Sequence, residues 1–117
     1  MNAYAILHKY FIPAGFTLVK HDWYAKKDGS ISFHATLRSI QKGQITRING
    51  ASHTDFCAYG SSPDEVLKEL LSIAQTEKLW LGRCGNYDSV IEWHAPSQQF
   101  IIRNLTHEED LRQNCIV

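Results

Sequence analysis

The chain has 117 residues, of which 44% are hydrophobic and 21% charged, with twelve Lys plus Arg set against twelve Asp plus Glu. That length holds one hydrophobic core but not two, and the composition is that of a folded globular protein rather than a disordered chain. A neutral balance supplies no overall field to draw in nucleic acid, an anionic membrane or a cationic partner, and no apolar run approaches the roughly 20 residues of a membrane-spanning helix.

Residues 1–117 therefore read as one α+β domain, with no repeat, low-complexity tract or linker to divide it. The three cysteines, Cys57, Cys84 and Cys115, are odd in number and form no C-x-x-C pair, which points to thiols in a reducing compartment. Met1 to Phe11 lacks the apolar core and small-residue cleavage site of a signal peptide, so a cytoplasmic location is expected.

Tyr4, Leu7, His8 and Phe11 recur at helical spacing, and Pro13 with Gly15 ends that helix soon after Phe11. Asp28-Gly29 then lies between two β-rich runs, the signature of a two-residue hairpin of type I′. Such a turn pairs Lys27 with Ser30, Tyr24 with Phe33, Trp23 with His34 and His21 with Thr36. Tyr24, Ile31, Phe33, Ala35 and Leu37 would then share a core face, and His21, Trp23, Ser32, His34 and Thr36 the opposite one. Two further strands are expected over Gln44 to Ile48 and Thr54 to Tyr59, after turns at Lys42-Gly43 and Asn49-Gly50.

Ser62-Pro63-Asp64-Glu65 supplies an N-cap, a proline at the first helical position and a glutamate placed to close a capping box. Val66, Leu67, Leu70, Leu71 and Ala74 form one apolar stripe of that helix, which should pack across a sheet face. After Trp80 and Leu81 a loop is expected over Gly82 to Asn86. A second hairpin follows, Ser89 to His94 and Gln98 to Asn104, then a capping box from Thr106 to Glu109 that starts a short last helix. The predicted fold is an antiparallel sheet built from two hairpins plus central strands, in the order α-β-β-β-β-α-β-β-α.

The front half, with Gly60-Ser61-Ser62 ahead of the second helix, resembles double-stranded RNA-binding domains in its order of elements. Those modules grip phosphates with lysines at the start of that helix, where this chain carries Asp64 and Glu65, so the resemblance is one of order at most.

Six histidines make the chain rich in the usual general base and metal ligand. His21 and His34 on one hairpin face would bind a transition metal if another strand supplied a third ligand, although aromatic cross-strand pairs usually serve packing. His53, Asp55 and Cys57 alternate, as do Glu92 and His94 near Asp88, and both patterns are as well explained by ordinary strand residues. Arg38, Lys42 and Arg47 surround one turn and make a small basic tip. No phosphate loop, serine elbow, H-E-x-x-H or dinucleotide fingerprint occurs, so no catalytic set and no cofactor is assigned.

The expected function is a small non-catalytic domain that binds a larger protein partner in order to inhibit, adapt or regulate it, in the style of phage and mobile-element accessory proteins. Its partner-binding residues are His21, Trp23, His34, Thr36 and Trp93, because tryptophan is enriched at binding hot spots. A small metal- or histidine-dependent enzyme and a nucleic-acid-binding module are the alternatives, the latter disfavoured by neutral charge. A homodimer through an uncapped strand edge is compatible with any of them.

Overall fold

The computed structural model describes residues 1–40, 46–48, 56–83 and 86–114, with backbone alone at 46–48 and 83. Asn2 starts helix α1 (Ala3–Ile6), its side chain accepting from the Ala5 amide at 2.8 Å, and the coil widens into a π-helical stretch, Leu7–Phe11, before Pro13 stops it. Strands β1 (Phe16–Ala25), β2 (Ile31–Ser39), β3 (Thr46–Ile48) and β4 (Phe56–Gly60) follow. Helix α2 (Pro63–Thr76) comes next, then β5 (Leu79–Arg83), β6 (Asn86–His94), β7 (Gln99–Asn104) and α3 (His107–Gln113).

The helix starts behave as their residues dictate. Ser62 Oγ accepts from the Glu65 amide, with Pro63 at the first position. Glu65 departs from the expected box: its carboxylate takes the amide and hydroxyl of Ser61, one residue earlier. At α3 both bonds of the Thr106–Glu109 capping box form.

The class is α+β, but the expected single sheet is two antiparallel sheets, ordered β1-β2-β4 and β3-β5-β6-β7. The second hairpin does not extend the first sheet. Of the loop expected over Gly82 to Asn86, Gly82, Arg83 and Asn86 belong to strands, because β5 runs on to Arg83 and pairs with β6 from Asn86, and Cys84 and Gly85 lie outside the described residues. Gly82, read as a loop marker, is instead a point of close backbone approach. Its φ is +138°, the ladder shifts register between Leu81 and Gly82, and a Cβ there would lie 2.7 Å from the Asn86 carbonyl oxygen.

One hydrophobic cluster draws on both sheets and both long-range helical segments: Phe11, Phe16, Leu37, Phe56, Leu70 and Leu81 are among its fully buried members. Phe11 is its hub, 5.7 Å edge-on from Phe16 and stacked at 5.7 Å on Phe100 of the other sheet. A smaller cluster of Trp80, Tyr87 and Val90 lies under Leu105. The core thus grips the first hairpin through β2, where Ala35 and Leu37 are buried and Phe33 packs against it, and through Phe16 of β1, whereas every residue of β1 from Val19 to Ala25 is exposed.

Candidate functional site: a projecting hairpin arm and the groove beneath it

The turn at the tip of this arm decides which side chains meet. Lys26 donates its amide to the Ser30 carbonyl and Gly29 donates to Lys26, so the loop is one residue longer than a two-residue turn. Type I′ needs positive φ at both Asp28 and Gly29, yet only Gly29 has it, at +88°. Asp28 is held otherwise, its carboxylate accepting the Ser30 amide at 2.9 Å and hydroxyl at 2.6 Å. Those bonds also keep its pKa below the usual carboxylate value.

The register moves by one residue as a result. Trp23 lies opposite Phe33, Asp22 opposite His34 and His21 opposite Ala35. A one-residue slip exchanges faces. The expected grouping of His21, Trp23, His34 and Thr36 is therefore corrected: His21 and Trp23 sit with Phe33 and Ala35 on the inner face, while Asp22 and Tyr24 sit with Ser32, His34 and Thr36 on the outer one. His21 and His34 cannot converge on one metal ion. Among the described residues no group of three or more His, Cys, Asp or Glu is placed to hold one.

On the outer face His34 is well packed. Its Nδ1 lies 3.3 Å from Asp22 Oδ1, its Nε2 lies 3.5 Å from the buried Thr36 hydroxyl, and its ring stacks on Tyr59 of β4 at 4.5 Å. Both ring nitrogens are thus engaged, the carboxylate fixing one edge and the hydroxyl the other. Cys57 lies directly opposite Thr36, and Tyr59 is 60% exposed.

The inner face is the opposite in character. Its β2 side, Phe33 and Ala35, joins the core, but its β1 side does not, and a groove of 230 Å³ opens between the arm and the two helices that flank it. Leu18, Trp23 and Phe33 form one wall, and Leu7, Pro63 and Leu67 the other, with His21 at the rim. Trp23 is 64% exposed. An aromatic ring standing over an apolar groove offers a large contact area at the cost of only two side-chain torsions. The groove is large enough for one bulky side chain. Among the described residues β1 is the outer strand of its sheet.

The other predicted site residues lie elsewhere. Trp93 is half-buried beneath Phe100 and Tyr10, with ring centroids 4.9 and 5.6 Å away, and is packing rather than an open face. Glu92 is bound by Arg103, which also grips Glu109 of α3, and Lys78 adds a 3.0 Å bond to Glu109. Hydrogen bonds from Arg103 hold both carboxyls below their usual pKa, Glu109 far below, and the paired carboxylates raise that of Arg103. His94 turns into its own connection, where Nδ1 meets the Ser97 hydroxyl at 2.6 Å. Of the basic tip, Arg38 is half-buried on β2, the Arg47 backbone belongs to β3, and Lys42 lies outside the described residues, as do His53 and Asp55. The groove itself was not legible, since it needs Pro63 and Leu67 brought beside Trp23 from forty residues away in the chain.

No protein-family model, no curated protein and no solved structure matches the chain. No helix among the described residues is long and apolar enough to cross a membrane.

Proposed function

We propose that the chain is a protein-binding module that inhibits, adapts or regulates a larger partner by seating one bulky apolar side chain of that partner in the groove under Trp23. The observation that carries this reading is Trp23 itself, 64% exposed on an arm whose inner face borders a 230 Å³ apolar groove. Exposed large aromatics beside a pocket are the usual anchors of such interfaces. Of the residues expected to bind, His21 and Trp23 remain in this site. His34 also lines the groove although its register places it with Thr36 on the outer face, and Trp93 belongs to the packing of the second hairpin against Tyr10.

Selection of a random peptide library against the immobilised full chain tests this. Enriched peptides should share one large apolar residue. Their binding should fall at least tenfold in Trp23→Ala and persist in Tyr24→Ala, which alters the other face of the same arm. Failure to enrich any peptide, or equal binding by both variants, would remove the groove from consideration.

A further inference from the structure

We infer that β1 is the self-association edge of the protein, and that two copies pair their β1 strands antiparallel about a two-fold axis at His21. Strand β1 ends the order β1-β2-β4, so its outer row of amides and carbonyls faces no described strand, and an open edge readily pairs with another chain. Lys20 and Asp22 stand on that edge, and the ladder with β2 is interrupted between Leu18 and Lys20. A charged edge with a bulge resists indiscriminate pairing. The same charges are self-complementary in one register.

Symmetry restricts the choice. Directly opposed residues on paired strands share a face, and a two-fold axis perpendicular to the sheet leaves each residue on its own face, so a residue must stand at the centre of the pairing. Beyond the bulge the regular stretch is Lys20 to Ala25. Centring on Lys20 or on Asp22 sets like charge directly against like charge, which is destabilising. Centring on Trp23 leaves Lys20 without a partner. Centring on His21 opposes Lys20 to Asp22 of the second copy, twice, on the outer face. The Lys20 ammonium and Asp22 carboxylate are already 3.8 Å apart within one chain, so the four charges alternate across the axis. Because the bulge limits the regular ladder to three residues a side, the dimer is weak, with a dissociation constant on the order of tens to hundreds of micromolar.

This pairing uses the edge of the arm, whereas partner capture uses the groove under its inner face, so the two stand or fall separately. Sedimentation equilibrium of the full chain from micromolar to millimolar concentration is the test, with circular dichroism to confirm that each variant is folded. The wild type should show a monomer–dimer equilibrium. Lys20→Asp and Asp22→Lys should each weaken it at least tenfold, and the double exchange Lys20→Asp with Asp22→Lys should recover it to within a few-fold. A wild type that stays monomeric throughout overturns the proposal. So do single variants that dimerise as wild type does, which would place the interface elsewhere, and a double exchange that stays monomeric, which would exclude this register.

Discussion

The two hairpins of this protein carry the same ingredients and meet opposite fates. Each joins two antiparallel strands by a short turn, and each has a tryptophan on its first strand, Trp23 in β1 and Trp93 in β6. In the β6–β7 hairpin the tryptophan strand is the covered one: β6 is buried at Tyr87 and from Ser89 to Ile91, Trp93 and Phe100 pack toward Tyr10, and Arg103 ties the hairpin to α3 through Glu109, while β7 stays open at Ile101 and Ile102. In the β1–β2 hairpin, β2 is buried at Ser32 and from Ala35 to Leu37 and pairs with β4, while β1 is exposed from Val19 onward. A strand's own sequence sets which residues share a face, but whether that face is wetted depends on elements far away in the chain. The bare strand β1 is the one with material left over for recognition.

The covered hairpin should therefore be the costly one to disturb. Trp93→Ala removes a half-buried ring from between Phe100 and Tyr10 and should destabilise by about 2–4 kcal/mol in chemical denaturation. Gly82→Ala should cost about 2–3 kcal/mol, since its φ of +138° and the 2.7 Å approach to Asn86 leave no room for a side chain between β5 and β6. Either loss below about 0.5 kcal/mol, the range of ordinary surface changes, would mean that the second sheet is not the rigid half.

Arg103 sharpens the contrast, because it replaces apolar cover with charge. Arg103→Met leaves the partly buried Glu92 and Glu109 without their guanidinium and should cost about 1–2 kcal/mol at neutral pH. The sign with pH follows from the depressed carboxyls. A carboxyl that ionises more readily folded than unfolded adds stability above its unfolded pKa, and that stability drains away as pH falls toward the folded value. Wild-type stability should thus decline below about pH 4.5. The decline should be shallower in Arg103→Met, and matching slopes would show that the network does not couple to folding.

How far this was legible in the sequence follows from the range of each signal. The starts of α2 and α3 are written within four residues, Ser62 to Glu65 and Thr106 to Glu109, and both helices begin there. The Asp28-Gly29 turn was legible as a turn but not as a register. Asp-Gly suits both a two-residue loop and a longer one, and the choice rests on the bonds from Ser30 that hold Asp28 out of positive φ. That one-residue difference moved His21 and Trp23 off the face of His34. Strand β5 was obscured because Gly82 signals a loop and a close strand crossing equally. The groove joins Leu7, Trp23 and Leu67, and no local pattern encodes such a meeting.

The smallest expected effect completes the comparison. Trp23→Ala deletes as large a ring as Trp93→Ala, yet 64% of that residue already meets solvent, and its contacts are the margin of a groove rather than the interior of a core. Its stability change should stay within about 0.5 kcal/mol of wild type. A loss near that of Trp93→Ala would mean that the arm folds against its own groove and that Trp23 is structural cover. A silent Trp23→Ala shows instead that folding does not require the ring, so an effect of the same variant on peptide capture must come from recognition. Stability and binding measured together on one substitution thus separate the two roles that tryptophan plays in the two hairpins.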